Sequence, residues 1–599
     1  MRSAFERAED VTPEGGAPRG GEHGGGEPPH VDYGAPSPAV GAEFPLNDYG
    51  NGQRLLHYYG KDMLFVPRLG WYRWEGDRWA ADEDELIVRL EAQKIAARIE
   101  EEVDHLALEE WERNSLDEAR ELAPALRDLE KMKAEDRSEQ QQADLRDLRE
   151  KIRFADAIKA RFEKRKGQHR THARNSGNSG KISNMLLEVR ARVRAGINEM
   201  NADPLMLNVA NGTLLFRERP IEEAAEPDLD ASFPIKPNAP ALAREPDWEV
   251  VMLEHDRAHR ISKLIPIKYE PLAECPNWIA FLNRVQPDPE MRAFLQRWIG
   301  YCLTGLTTEQ KLVFNFGSGR NGKSTFVDTL ARIFADYGTT VPIETLTGTE
   351  QRKGSDATPD LVRLPGARFV RASEPEAGTR MKEAMIKALT GGEAIMIRRM
   401  MQEFVEIEPE FKLTISGNHK PEIRGADDGI WRRVMLVPWE VQIPDDEVDH
   451  MLPLKLQAEA EGILAWAVEG FLEWKKYGLG EPAAVAAATR DYREESDKMR
   501  VFLQTECEII GGDHWTSVAD LKDAFNAWML SEGGSAWGSR AVQTGLRERS
   551  GVVKGPDGQQ FTPRKNSNAG YSGIRVKAEA MDRIAAMRPK LDAAGARKG

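Results

Sequence analysis

Apolar residues fall into short runs and helical stripes that divide the chain into blocks. Lys311 to Phe316 reads as a buried strand, and Thr325 to Phe334 sets Phe326, Val327, Leu330, Ile333 and Phe334 at helical spacing. The Gly- and Ser-containing stretch between them must be a tight loop. Two more strand-like runs follow, Ala367 to Ala372 leading into Ser373-Glu374-Pro375-Glu376, and Phe411 to Gly417 ending at Asn418. Glu83 to Lys166 is dense in Glu, Lys, Arg, Ala and Leu with almost no Gly or Pro, which predicts long helices in a hairpin without a clean heptad register. Amphipathic helices are predicted from Pro276 to Leu306, with Trp278, Phe281, Phe294, Trp298 and Tyr301 as core anchors. Met451 to Glu494 also reads as helical. Beyond it, helices are predicted at Val518–Leu530 and Arg540–Arg549, with short strands around Val552 and Ile574. Trp71, Trp74 and Trp79 alternate with polar residues as in a half-buried sheet, so packing is the first reading and base stacking by an exposed ring the second. Asn211-Gly212 between apolar runs signals a tight hairpin.

Composition narrows the picture. A chain of 599 residues calls for about three to five units by the usual domain-size prior. The net charge of -15 argues against a surface wrapped in nucleic acid, yet it leaves room for a few cations in a channel. No apolar stretch approaches the roughly 20 residues needed to cross a bilayer, and the first residues are rich in acids, Pro and Gly, so a cytoplasmic protein without membrane contact is expected. Cys275, Cys302 and Cys507 lack paired spacing and read as buried thiols. Residues 1–45 are expected to be disordered, Arg165 to Lys181 to form a flexible basic loop, and Asp228-Leu229-Asp230 to lie in a solvated loop.

The candidate chemistry starts at Gly317-Ser318-Gly319-Arg320-Asn321-Gly322-Lys323-Ser324, which fits the P-loop pattern in strand–loop–helix context. Backbone N–H groups of such a loop close around phosphates, Lys323 reaches the β and γ oxygens, and Ser324, followed by Thr325, supplies a hydroxyl to magnesium. ATP with Mg2+ is the expected ligand. Glu374 ends the next strand, where a P-loop enzyme places the acid that orients magnesium and the attacking water; Glu376 is the second candidate. Asn418 offers an amide to hold that water, and Arg432 or Arg433 a guanidinium for charge on the transferred phosphoryl group. Taken singly, these residues also fit a solvated strand end, a turn and a surface pair.

Their order, P-loop, acidic strand end, Asn-terminated strand, arginine, resembles the superfamily-3 helicases, most closely the phage and plasmid primase family with its poxvirus-like relatives. Ile386-Lys387-Ala388-Leu389-Thr390-Gly391-Gly392-Glu393 followed by Arg398 looks like that family's pore-hairpin segment, and Asp48 to Trp79 and Asp203 to Leu214 look like its amino-terminal domain. One departure is that Ser373 precedes Glu374 and Pro375 separates it from Glu376, where many members have two adjacent acids. The resemblance implies an α/β fold: an AAA+-like superfamily-3 core at 266–455, a mixed α+β domain at 46–265 carrying a helical insertion at 83–185, a helical linker at 456–495, a winged helix at 496–578, and tails at 1–45 and 579–599. It implies an ATP-dependent replicative DNA helicase of phage, plasmid or prophage type, a homo-oligomeric ring, as a hexamer, moving 3′ to 5′ on single-stranded and forked DNA. Lys387, Arg398 and Arg399 would touch DNA phosphates, with Arg540, Arg547 and Arg549 of the winged helix as further contacts, and a separate primase would be a partner. Glu374 and Ser324 would serve magnesium. Two other readings stay open: a small-molecule P-loop transferase or kinase, and an ATP-binding DNA loader without motor activity.

Overall fold

The computed structural model describes residues 35–219, 247–348, 357–398, 403–423 and 428–596. They form two compact units: one from the chain up to Leu64 with Asp84–Arg194, the other from Phe65–Glu83 with the chain from Ala195 onward. Asp228, Asp230 and Arg399 lie outside the described residues.

The first unit is helical, with helices Asp48–Tyr59, Leu86–Glu102, Glu110–Lys131, Glu139–Ser176 and Ser179–Arg190. The expected hairpin is Glu110–Lys131 against Glu139–Ser176, and each helix starts with a capping box, Glu109 with Glu112 and Ser138 with Gln141. Val88, Ala92, Ile95 and Ile99 bury one stripe of Leu86–Glu102. The polar interior is the unexpected part. Arg54 and Glu102 are fully buried and bonded through Arg54 Nε to both carboxylate oxygens, at 3.1 and 2.9 Å. His169 Nε2 lies 3.0 Å from the same carboxylate, and Asn51 Nδ2 donates to Ser176 Oγ at 3.0 Å.

That network explains the first correction. Arg165 to Lys181 is not a flexible loop: it closes the 38-residue helix Glu139–Ser176 and opens the next one. His169, Ala173 and Ser176 occupy the buried positions, so the inward stripe is polar and leaves no apolar periodicity to read. The amino-terminal boundary also moves. Residues 35–45 are packed, with a short helix Pro38–Gly41 capped by Ser37, and the Phe44 and Pro45 carbonyls each accept from Arg54 at 2.9 Å.

The second unit holds an α/β layer. Strands β1 (Leu312–Phe316), β2 (Gly338–Thr340), β3 (Phe369–Ser373), β4 (Lys412–Gly417) and β5 (Val434–Pro438) form one parallel sheet in the order β5-β1-β4-β3-β2. β4 is buried at every position, which fits a central strand covered on both faces. Helix Lys323–Phe334 leaves the loop after β1 and packs Phe326, Leu330 and Phe334 into the core. Trp278, Phe294 and Trp298, on helices Pro276–Val285 and Pro289–Cys302, join the same core as expected.

The expected linker at 456–495 is part of that core. Helix Ala460–Tyr477 buries Ile463, Leu464, Val468 and Phe471 against Pro289–Cys302. The two backbones touch: a Cβ on Gly300 would stand 2.0 Å from the Phe471 nitrogen, and one on Gly470 2.1 Å from the Gln296 carbonyl oxygen. Gly300→Ala therefore forces the helices apart and is expected to cost about 3 kcal/mol, read as a lower denaturant midpoint. An unchanged midpoint would mean that this crossing is looser in solution.

Trp71, Trp74 and Trp79 are buried on the hairpin Gly70–Trp74 and Trp79–Asp82, so packing is their role. Met206–Val209 and Gly212–Glu218 pair as the expected hairpin. At the carboxyl-terminal end, helices Lys498–Thr505, Val518–Ser531 and Ser539–Arg549 enclose a core with Phe502, Phe525 and Leu546. Three details differ from expectation. Val552 sits in a turn, and the strand falls at Thr562–Lys565, paired with Ala569–Ser572. Arg549 is buried against Asp497 at 2.8 Å, removing it from the candidate DNA contacts, whereas Arg540 and Arg547 are exposed. The tail expected from 579 is helical over Ala578–Ala596, with Ala580 in the core and Arg583 paired to Glu506 at 2.8 Å. All three cysteines are buried free thiols, and burial pushes Cys302 up to about 12. Among the described residues, no helix is long and apolar enough to cross a membrane.

Candidate active site

The carboxyl ends of β1, β3 and β4 bring the predicted residues together, as open parallel sheets do at their ligand edge. Gly317 to Gly322 bridges β1 and helix Lys323–Phe334, with Gly322 at φ +82 and so in the left-handed region that suits glycine. A Cβ on Gly317 would lie 2.2 Å from the Trp439 carbonyl oxygen, so the loop runs tightly along the residue that follows β5.

Lys323 is the hub. Its Nζ donates to the Gly317 carbonyl at 2.6 Å, to Asn321 Oδ1 at 3.1 Å and to Asn418 Oδ1 at 3.1 Å. Burial pulls its pKa below the usual lysine value, while the Glu374 carboxylate works in the opposite direction. The Asn321 amide donates to the Ser318 and Trp439 carbonyls at 2.9 and 3.0 Å, fixing the loop beside β5.

Glu374 is exposed at the end of β3 with φ +59, and its N–H donates to the Ser416 carbonyl at 2.9 Å. A left-handed non-glycine residue costs roughly 1 kcal/mol or more, so neighbouring contacts hold this carboxylate at the sheet edge against its own preference. Glu376 is exposed two residues on; Lys323 responds to Glu374 and not to Glu376. Ser324 is exposed on the first turn of its helix, with Thr325 half-buried beside it. A cleft of about 670 Å³ opens beside Asn418, walled in part by Phe316, Lys420, Tyr492, Glu495 and Gly533.

The two arginines separate cleanly. Arg433 is buried and donates to Thr390 Oγ1 at 3.1 Å and to the Gly429 carbonyl at 2.6 Å. Arg432 is exposed. It precedes β5, whose Val434 pairs with Leu312 at the start of β1, whereas the phosphate-type loop follows Phe316 at the other end. Strand rise over Leu312–Phe316 sets these ends roughly 13 Å apart, beyond the reach of an arginine side chain.

Arg398 and Lys387 belong to other elements than the loop. Arg398 follows the first strand of a small hairpin, Ile395–Ile397 paired with Val405–Ile407, and its guanidinium lies 5.1 Å over the Phe404 ring. Lys387 is half-buried on helix Glu383–Thr390.

A strap across the loop is absent from the sequence expectations. Ile443 N–H donates to the Arg320 carbonyl at 2.8 Å, Gln442 Nε2 to Ser318 Oγ at 3.0 Å, and Arg320 pairs with Asp445. Polar residues after a strand carry no local signal for such a crossing.

Comparison with known proteins adds context. Residues 52–287 match the D5 N-terminal-like family, and residues 315–433 match DUF5906, a family of unknown function. The chain is 27% identical over 274 residues to a protein of Acanthamoeba polyphaga mimivirus that bears the name putative helicase, covering 43% of this chain and 28% of that one. It is 26% identical to a protein of the same description from Frog virus 3, covering 50% and 32%. The chain thus spans about a third or less of the length of these relatives. A solved C-terminal region of NrS-1 overlays 52% of this chain and 78% of its own, at 17% identity and a TM-score of 0.33, too low to weigh. The D5 N-terminal-like match and the viral relatives bear out the primase-helicase resemblance drawn from the motifs.

Proposed function

We propose that this relative of the primase-helicases, with its D5 N-terminal-like domain and its viral kin, is an ATP-dependent DNA helicase with a superfamily-3 core and a carboxyl-terminal winged helix, working as a homo-oligomeric ring, expected to be a hexamer. The observation that carries the reading is the convergence of Lys323, Glu374 and Asn418 at one sheet edge while Arg432 stands exposed at the other. The residues fit a nucleoside triphosphate: a buried ammonium ringed by three oxygens exchanges those acceptors for phosphate oxygens, and the amides of Gly317 to Thr325 crown the helix start. Magnesium, held through Ser324 and Glu374, would neutralise charge on the β and γ oxygens. Glu374 polarises the attacking water and Asn418 fixes its position. Arg432 cannot serve its own loop, so it acts on a neighbour's, where the cleft beside Asn418 leaves room for a guanidinium. Arg433 has a structural role, holding Thr390 and the turn at Gly429. Arg398, Arg399 and Lys387 would then meet the phosphates of a single strand in the ring channel.

Mixing two inactive variants tests the trans arrangement. Lys323→Ala and Arg432→Ala should each fail to hydrolyse ATP, while an equal mixture should recover about a quarter of wild-type turnover, since about one interface in four pairs an intact loop with an intact arginine. No recovery, together with DNA-independent activity linear in protein concentration, would favour the small-molecule transferase.

A further inference from the structure

In the first unit, one stretch reverses the charge character of the whole chain. From Lys164 to Leu187 there is no Asp or Glu, against Lys164, Arg165, Lys166, Arg170, Arg174 and Lys181, in a protein of net charge -15. Because this stretch is helix, its cations are sorted by face. His169, Ala173 and Ser176 point inward, so the opposite face presents Lys164, Gln168, Thr171, Arg174 and Asn175 at spacings of four, three, three and one, all exposed, with Arg170 on its flank.

Neighbouring carboxylates neutralise only part of this set. Arg165 meets Glu112, Lys166 meets Glu163 at 3.3 Å, Lys181 meets Asp48 at 2.9 Å, and Arg170 approaches Glu100 at 3.5 Å. Lys164 and Arg174 carry no ion pair among the described residues. Ten helical residues separate them, about 15 Å, the length of roughly four base-pair steps along a duplex. Between them stand amide and hydroxyl groups, which also bond to phosphate and sugar oxygens. The stretch from Lys164 to Lys181 contains no Phe, Tyr or Trp, so it lacks the stacking platform that single-strand binders use.

We propose that this face, centred on Lys164, Arg170 and Arg174, is a sequence-independent docking surface for the phosphate backbone of duplex nucleic acid, separate from the channel cations of the second unit. Its contacts are electrostatic, and it works whether or not ATP turns over.

The test uses the full-length chain and a fluorescent duplex of random sequence, with the matching single strand as control, between roughly 50 and 200 mM salt. The triple variant Lys164→Gln, Arg170→Gln, Arg174→Gln should bind duplex at least tenfold more weakly at the low end. Its slope of log affinity against log salt should be shallower by about 2.7, three contacts at about 0.9 each. Affinity for the single strand should stay near the wild-type level. Unchanged duplex affinity and slope would overturn the proposal, as would an equal loss for both strands. A charge-keeping variant, Lys164→Arg with Arg170→Lys and Arg174→Lys, should restore duplex binding; failure to restore it would also sink the idea, whereas loss of DNA-stimulated hydrolysis alone bears only on the helicase reading.

Discussion

Lys323→Ala is expected to lower ATP hydrolysis about a thousandfold while shifting unfolding free energy by only ~1 kcal/mol. The first half follows from charge. A preorganised cation aimed at developing negative charge in a dry site is worth about 4 kcal/mol, and each 1.36 kcal/mol is tenfold in rate. The second half follows from the environment. The ammonium is buried and its pKa is pulled down, so the folded state loses an uncomfortable charge along with three hydrogen bonds. Of the stranded acceptors, Asn418 is exposed and water can reach it. Arginine should not rescue, because a planar fork does not reproduce a point donor ringed by the Gly317, Asn321 and Asn418 oxygens. Turnover and a urea melt on the same preparation check both halves. A variant that still hydrolyses ATP within tenfold of wild type would remove Lys323 from the chemistry.

Glu102→Ala should be the most damaging single change in the first unit, at about 3–5 kcal/mol. Arg54 and Glu102 are both fully excluded from solvent, and the carboxylate also faces His169 and lies 3.4 Å from the Tyr58 hydroxyl. Deleting it strands a guanidinium whose remaining partners are two carbonyls, Phe44 and Pro45. Retaining the pair is a different matter from having none. Arg54→Met with Glu102→Leu removes both charges and is expected to regain most of the loss, since apolar replacements of buried pairs are often neutral or better. Denaturant unfolding of wild type, single and double variants forms the cycle. Equal midpoints in all three would show that water reaches the pair in solution.

Legibility followed the kind of signal each residue leaves. β1, its loop and its helix were readable because apolar runs, glycines and a 3.6-residue stripe coincide within a short window. The anchors of Pro276–Cys302 were readable for the same reason. Arg165 to Lys181 was not, because His169 and Ser176 fill inward positions through hydrogen bonds that depend on Glu102 and Asn51, distant in sequence. Helix Ala460–Tyr477 looked like a connector although Gly470, Phe471 and Trp474 lay in it; what makes them core is Gly300, on another helix. At the candidate site, Lys323, Asn418 and Glu374 could be nominated from order alone. Choosing between Arg432 and Arg433 needed the turn at Gly429, which buries one and exposes the other. The strap from Gln442 to Asp445 depends on β5 lying next to β1, a long-range pairing with no local trace.

Under the proposed function, the placement of Arg432 at the far end of the sheet would also set an arithmetic of assembly. In the proposed ring, each protomer would contribute one half to two different sites, its loop to one and its arginine to another. A single protomer then has no complete site, and an open row always has one fewer than its number of members. Closure adds the last site and removes both loose ends at once. In such a ring, hydrolysis would report whether the circle around the strand is shut, and a gap opened for loading would silence the site at the gap while its neighbours keep firing.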